Sequence, residues 1–470
     1  MDTKQLRQKI LDLAIRGKLV PQDPNDEPAS VLLERVKAEK ERLIAEGKIK
    51  RSKKSATSSD KPHYAEWDLP SGWVWVKLSD LASFGGGKTP SMSDNSYWEN
   101  GKHLWVTSKD MKSHRIRDSR MKISDEALTI MTQYKPGAIL IVTRSGILRH
   151  SLPIAILEND ATINQDLKAI TFYIQDLHPY IYYAIKAQES FILKEYHKDG
   201  TTVDSINFEK FSDILLPIPP KQEQIRIVTT IEKLFGLIEE IDNNKKYLQE
   251  FLRHTKSIIL DMAVCGKLVQ HEPTDEPSEI LLKRINPNAV VSTDKSHYAL
   301  PTSWAWVKGK DLFLPMKSTT PKGNTFKYID IDSIDNVNQR ISAIKVLPSQ
   351  QAPSRASRYT EKNNILFSMV RPYLRNIAIV TEEDCIASTG FYVCRQRECL
   401  DYKYLYYLMT SNYVVDGLNS FMKGDNSPSI NKGNVDEYVF PLPPLNEQKR
   451  IVSKVDELFA VIDQIKQSLE

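Results

Sequence analysis

The sequence predicts an α+β chain: two mixed α/β domains separated by long antiparallel coiled-coil helices, laid out as a pseudo-two-fold circular repeat. Three observations carry this expectation. The stretch PIPPKQEQIRIVTTIEKLFGLIEEI at 217–241 returns 224 residues later as PLPPLNEQKRIVSKVDELFAVIDQI at 441–465. A second pair, LDLAIRGKLVPQDPNDEPASVLLER at 11–35 and LDMAVCGKLVQHEPTDEPSEILLKR at 260–284, repeats at an offset of 249. Between the repeated segments lie two blocks, about 78–216 and 309–440, that hardly resemble each other. Internal repetition is read before local features because it decides the architecture, and similar frames with different contents are how one scaffold presents two binding surfaces.

In chain order, the pattern divides into a helical repeat segment at 1–35, a basic linker at 36–62 and a first domain at 63–216. A central long helical region follows at 217–285, then a linker at 286–296, a second domain at 297–440 and a closing helix at 441–470. Within the first linker, KIKRSKK at 48–54 reads as a solvated tether rather than a DNA contact. A third repeated pair, HYAEWDLPSGWVWVK at 63–77 and HYALPTSWAWVK at 297–308, opens each domain. Its tryptophans Trp73, Trp75, Trp304 and Trp306 are expected in the core rather than as base-stacking platforms. Inside the domains, AILIVT, IAIVT, GFYVC and YVFPL read as strands, and YIYYAIKAQESFI and YKYLYYLMTS as short helices.

The long helix follows from periodicity. From Ile227 the apolar residues step by four and three through Ile231, Leu234, Ile238 and Ile241, then Leu248, Leu252, Ile259 and Met262. This is a heptad seam interrupted by polar Lys245 and Thr255, and it predicts a helix over about 221–264. Pro217, Pro219 and Pro220 end the preceding strand and limit where the helix can begin. The second seam runs Ile451, Val455, Leu458, Ile462, Ile465 and Leu469. By the two offsets Glu470 corresponds to Lys246 and Met1 to Glu250, so the N-terminal helix is expected to supply the part that the closing helix lacks.

Composition bounds the function classes. With 470 residues, 41% hydrophobic and 26% charged, the chain has material for two or three globular domains. A membrane span needs about 18 or more consecutive apolar residues, and none is present; the start, MDTKQLRQKI, lacks the core of a signal peptide, so a cytoplasmic location is expected. Cys265, Cys385, Cys394 and Cys399 contain no CxxC, which argues against a disulfide or metal scaffold. A net charge of +4 does not identify a nucleic-acid partner, so its distribution matters more. The run ASFGGGKTPSM at 82–92 invites comparison with a phosphate-binding loop, but Ala82 stands where the first glycine belongs and no helical pattern follows Thr89. It reads as a glycine-rich turn, and an NTPase would be exposed by nucleotide binding that disappears on Lys88→Ala. No methyl-donor loop, amino-methylation motif or nuclease metal cluster is recognisable, and neither catalytic nor metal-binding residues are expected.

Basic residues are locally concentrated. Lys102 to Lys122 holds seven Lys or Arg against Asp110 and Asp118, and Arg340 to Val380 holds seven against Glu361. Such excess suits phosphate neutralisation, with Arg and Asn able to read base edges. The candidate DNA contacts are Lys88, Thr89, Lys109, Lys112, Arg115, Arg117 and Arg144 in the first domain. In the second they are Lys322, Arg355, Arg358, Arg371, Arg375, Lys423 and Asn426.

The chain as a whole resembles the specificity subunit of type I restriction-modification enzymes. The resemblance rests on the two PPxxEQxRIV segments, the circular repetition, GKTPS…YW…LWVTSKDM at 87–111 and NNILFSMVRPYLRNIAIV at 363–380, where Asn363-Asn364 stand in place of the family's Gly-Asp. It implies that each variable block is a target recognition domain reading one half of a split, asymmetric sequence in double-stranded DNA. It further implies a non-catalytic chain whose helices space the domains and dock two modification (methyltransferase) subunits. S-adenosylmethionine, ATP and magnesium would then be bound by the modification and restriction/translocase subunits and by none of this chain's residues. The competing class is a stand-alone bipartite DNA-binding regulator, distinguished by tight DNA binding without partner subunits.

Overall fold

The computed structural model describes residues 2–49, 62–200, 203–292 and 298–469; the basic tether from residue 50 onward lies outside them. The chain forms two compact units, Met1–Asn243 and Asn244–Glu470. The predicted long helix is Lys221–Val264, 44 residues, whose first part belongs to unit 1 and whose second part belongs to unit 2.

In unit 1 the strand Val74–Lys77 pairs antiparallel with Leu215–Ile218, tying the first strand of the domain to the last. Enclosed between them is a five-stranded sheet in the order Ala82–Gly86, Leu167–Phe172, Ile139–Val142, Ile154–Leu157, Arg115–Ile116. A three-stranded sheet places His103–Val106 between Met121–Ile123, antiparallel, and Ala161–Ile163, parallel. Ile139–Val142 and Ile154–Leu157 are apolar at every position and buried on both faces, which is why they read as continuous apolar runs rather than alternating ones. Unit 2 repeats this plan. Ala305–Lys308 pairs with Val439–Leu442. A four-stranded antiparallel sheet runs Phe313–Leu314, Phe391–Gln396, Ile365–Ser368, Ile377–Ile379. A second sheet again sets a parallel pair, Thr325–Ile329 with Cys385–Ser388, beside an antiparallel neighbour, Lys345–Pro348. The two variable blocks, dissimilar in sequence, share the order of four strands in the first sheet and of three in the second; unit 1 adds Arg115–Ile116 to the first and unit 2 adds Ala356–Thr360 to the second. The tryptophans Trp73, Trp75, Trp304 and Trp306 are buried, as the pattern predicts.

The repeated segments build the same junction in each unit. The helix Thr3–Ile15 packs Ile10, Leu11 and Ala14 into one core with Ile227, Ile231 and Ile238. Arg7 meets Asp242 and Gln22 meets Glu223, so the two chain segments run in opposite directions. In unit 2, Leu252 and Ile259 share a core with Ile451, Val455 and Ile462 of the helix Leu445–Ser468. There Lys256 pairs with Asp463 while His271 meets Glu447, again with opposite direction. The linker read at 36–62 begins inside a helix, Ala29–Ala45, because Leu32 and Val36 continue the apolar face past residue 35.

The shared words of the repeat have local causes. Gly17, at φ +66°, closes the helix Thr3–Ile15 with its N–H on the Ala14 carbonyl and the Lys18 N–H on the Leu13 carbonyl, and Gly266, at φ +68°, closes Lys221–Val264 in the same way. A Cβ on Gly17 would lie 2.4 Å from Pro70 Cγ, and one on Gly266 2.5 Å from Pro301 Cγ. After Pro219 and Pro220, Gln224 Nε2 returns to the Pro219 carbonyl, and Gln448 Nε2 to the Pro443 carbonyl, each at 2.9 Å. Arg226 donates to both oxygens of Asp26 at 2.5 and 3.2 Å, and Arg450 to both oxygens of Asp275 at 2.7 and 3.5 Å. Gly17→Ala is therefore expected to lower stability by more than ~1 kcal/mol, from left-handed strain and the Pro70 clash together. Gly47→Ala, at φ +68° with open space around it, isolates the strain alone. Thermal melting of the intact chain checks both, and equal shifts would show that the Pro70 contact relaxes freely.

Candidate nucleic-acid interface

The glycine run that suggested a phosphate loop is a strand. Ala82–Gly86 lies at the edge of the five-stranded sheet, paired with Leu167–Phe172, and is followed by the single 3-10 turn Asn95–Tyr97 rather than an α-helix. The glycines answer to close contacts: Tyr134 Oη donates to the Gly86 carbonyl at 2.8 Å, and a Cβ on Gly87 would sit 1.9 Å from the Ile163 carbonyl oxygen. The expected turn is thus corrected to a strand, and the backbone N–H of Lys88 is already used, donating to the Ile163 carbonyl at 3.0 Å.

That contact places Lys88 beside the segment 163–166, which gathers several of the predicted residues. Thr89 Oγ1 bonds to Gln165. Val106 accepts the Asn164 N–H, so the turn carrying Lys109 and Lys112 starts from the same end. Asp110 fixes that turn by accepting Thr107 N and Oγ1, both at 2.8 Å, and Arg120 N at 2.9 Å. Thr143 and Arg144 both donate their N–H groups to the Asp166 carbonyl, and Arg144 bridges to Ser205 of the hairpin His197–Lys198/Ser205–Ile206. Lys88, Lys109, Lys112 and Arg144 are exposed, and their side-chain cations have no partner among the described residues.

Unit 2 repeats two of these links and adds one of its own. The Thr389 N–H donates to the Arg355 carbonyl, the Met369 N–H to the Gly390 carbonyl, and Val370 bridges to Ser429. Lys423 and Ser429 exchange two backbone hydrogen bonds at 3.0 Å around an exposed tip, and Arg371 reaches over to the Asn426 carbonyl at 2.7 Å. Arg355, Arg371, Lys423 and Asn426 therefore share one exposed end of the unit.

Other candidates are placed differently. Arg115 donates to Glu158 at 3.1 Å and to Glu232 of the long helix at 2.9 Å, and Arg117 also closes on Glu158. Counting them as surplus charge is corrected, because their partners lie far along the sequence and only folding brings them together. Arg375 donates to the Thr410 carbonyl at 2.8 Å and to Asn412 Oδ1 at 2.6 Å, and Asn412 in turn donates to Ser257 and Asp261 of the long helix. It is a clasp between loop and helix. Arg358 lies half-buried on the strand Ala356–Thr360, its Nε without a partner among the described residues, and Lys322 is exposed near Ser349, linked to none of the loops above by a hydrogen bond. The sequence reading missed Asp204, which is buried and accepts Arg149 Nε at 2.6 Å. It also missed the repeated Ser-Ile-Asn at 205–207 and 429–431, visible at the 224 offset, whose asparagines cap the helices Phe208–Ser212 and Lys432–Glu437. His197, Asp199 and Asp204 bring possible ligand atoms within 4.8 Å of one another, but Arg149 already supplies the positive charge there.

The sequence profile described as "Type I restriction modification DNA specificity domain" matches this chain twice, at residues 70–249 and 301–470. The chain belongs to that family. It is 25% identical to the type I restriction enzyme EcoEI specificity subunit of Escherichia coli, across 99% of this chain and 91% of that protein. To the EcoAI specificity subunit of the same organism it is also 25% identical, across 98% and 90%. Its fold is similar to a chain from a solved type I R-M system, with a TM-score of 0.58 at 18% identity over 86% of this chain and 94% of that one. The HsdS subunit of Thermoanaerobacter tengcongensis superposes with a TM-score of 0.50, also at 18% identity, over 86% and 93%. This family member functions as a DNA-specificity subunit of a type I restriction-modification system. Among the described residues, no helix is long and apolar enough to cross a membrane.

The two kinds of arginine separate in stability. Arg375→Ala strands the Thr410 carbonyl and Asn412 without their charged donor and is expected to cost about 1–3 kcal/mol. Arg144→Ala should stay within about 0.5 kcal/mol of the parent. Thermal melting of the two variants compares them, and equal melting points would refute the clasp.

Proposed function

We propose that the two units read the two halves of a bipartite, asymmetric sequence in double-stranded DNA. The observation that supports this is that each unit builds an exposed basic end beside a central sheet of the same strand order, with two corresponding backbone links, while different cations are exposed there. The links are Thr143 to Asp166 and Arg144 to Ser205 in one unit, and Met369 to Gly390 and Val370 to Ser429 in the other. On this reading Lys88, Lys109, Lys112, Arg144, Arg355, Arg371 and Lys423 face phosphates, and Thr89 and Asn426 lie where base edges pass. Phosphate contacts position a protein while base contacts specify sequence, so a shared scaffold with different tips fits two different half-targets.

In the same reading the chain is non-catalytic and works in the cytoplasm. Its helical segments form the antiparallel coiled coil of a circular repeat that sets the distance between half-targets and docks two modification subunits. Those subunits and the restriction/translocase subunits carry the S-adenosylmethionine, ATP and magnesium chemistry. The stand-alone regulator is disfavoured by family membership, and the NTPase by the edge strand at Ala82–Gly86.

Two experiments test the division of labour and the ruler. Exchanging 309–440 for the corresponding block of a relative is expected to change one half of the methylated motif and leave the other intact; a change in both halves counts against independent readers. Inserting four helical residues near Asn243 lengthens the helix by ~6 Å at ~1.5 Å per residue. The two half-targets should then persist with one or two more unread base pairs between them, as read by methylation-motif sequencing. An unchanged gap with full activity would mean that partner subunits set the spacing.

A further inference from the structure

Both units carry one loop that follows a central strand and is pinned at both ends. After the strand Ile139–Val142, the Ser145 N–H donates to the Asp204 carbonyl at 3.0 Å and the chain makes a single 3-10 turn, Gly146–Arg149. After Ile365–Ser368, the Arg371 N–H donates to the Pro428 carbonyl at 2.8 Å and the chain makes the turn Pro372–Leu374. Each turn is locked at its far end by an arginine. Arg149 binds the buried Asp204, and Arg375 binds Thr410 and Asn412. The residues along the turn are Ser-Gly-Ile-Leu-Arg in one unit and Arg-Pro-Tyr-Leu-Arg in the other.

At the same step of each turn a large apolar side chain stands in solvent: Ile147 is 45% exposed and Tyr373 46% exposed. A single exposed apolar residue is ordinary. Two of them at one structural position, each on a turn pinned at both ends and each beside an exposed arginine, Arg144 or Arg371, are not explained by packing within the unit. A partner must accept an apolar group inside a cationic rim. Nucleic acid does so: phosphates meet the cations, while thymine methyl groups and the faces of base steps take apolar side chains.

We propose that Tyr373 and Ile147 are specificity-determining residues, each meeting the bases of its half-target directly while the neighbouring arginine holds the backbone. This rests on the reading that each unit binds one half of a bipartite DNA sequence. A phenol ring and a branched aliphatic chain favour different base neighbours, so the same turn yields two preferences. The arginine clasps, Arg149 and Arg375, are positioning residues that keep the turn from collapsing onto its own apolar tip.

The test uses the full chain assembled with its modification subunits. Methylation-motif sequencing is combined with DNA binding measured over a series of salt concentrations. For Tyr373→Ala, relaxed base preference is expected within the half-target of unit 2 alone. Affinity for the parent target should fall roughly tenfold with an unchanged salt slope, because an apolar contact releases no counterion. Ile147→Ala should do the same for the other half, and Tyr373→Phe should keep the parent motif. The proposal is overturned if both alanine variants retain the parent motif and affinity while the 309–440 exchange still alters one half; the units then read DNA through other residues. It is also overturned if affinity falls equally for all sequences with a reduced slope, which marks a phosphate contact. If the parent complex methylates no bipartite motif, the reading beneath the proposal fails and this inference fails with it.

Discussion

A carboxylate enclosed at the start of each long helical segment holds the frame together. Glu223 is almost wholly buried and accepts Trp73 Nε1 at 2.9 Å and Gln22 Nε2 at 3.3 Å, one turn from the Arg226–Asp26 pair. Burial pushes its carboxyl above the ordinary range, against the pull of Trp73, Gln22 and Arg226. A buried charge of this kind persists only where hydrogen bonds and a nearby opposite charge compensate it. The compensation comes from three separate stretches of chain: the Gly-Lys-Leu-Val…Asp-Glu-Pro segment, the residue just before the opening strand of the domain, and the helix itself. Tyr180, fully buried, ties a further stretch to the junction by donating to the Pro217 carbonyl at 2.7 Å, as Tyr404 does to Pro441 at 3.1 Å. In unit 2, Glu447 is likewise buried and meets His271 in the place of Gln22, but the counterpart of the Trp73 bond is missing: Trp304 Nε1 and Glu447 Oε2 have no hydrogen-bond partner among the described residues.

Because that junction closes both ends of a variable block against one helix, the block can change without loss of the frame. Its first and last strands pair with each other, Val74–Lys77 with Leu215–Ile218 and Ala305–Lys308 with Val439–Leu442. The interior then needs only apolar strands of suitable length in a set connectivity. Hydrophobic cores tolerate extensive substitution when pattern and volume are kept, which accounts for two blocks with little common sequence and a common sheet plan.

Much of the frame was legible in the sequence. The long helix and the buried tryptophans follow from periodicity and steric rules, and the structure bears them out. The seam holds at Ile227, Ile231, Ile238, Leu252 and Ile259 but is corrected at Ile241, Met262 and Ile465, which are exposed. Pro217 lies within the strand Leu215–Ile218, so that Pro219 and Pro220 alone separate strand from helix. Charge was less legible. Seven cations between Lys102 and Lys122 look like surplus only while the chain is read as a line. In the fold Lys102 meets Asp125, Arg115 meets Glu158 and Glu232, and Lys122 meets Asp118. Lys122 and Asp118 lie within the window, but the partners of Arg115 are 43 and 117 positions away, and no local window sees them. The glycine run failed for a related reason: Gly85 and Gly87 are demanded by Tyr134 and Ile163, partners that lie far away along the chain.

By itself the sequence determined the duplication, the helical seams, the repeated closing strands and, through its family resemblance, the DNA-specificity role, because each is written in local order or in the return of the same words. Only the tertiary structure decided that two unlike blocks share a strand plan, that Lys88, Arg144 and the hairpin at Ser205 gather around 163–166, and that Arg115 and Arg375 are clasps. The physical reason is that a side chain's partners are chosen by sheet pairing and helix packing across long chain separations. A lysine or arginine reads the same in the sequence whether folding sets it against a carboxylate or leaves it facing water.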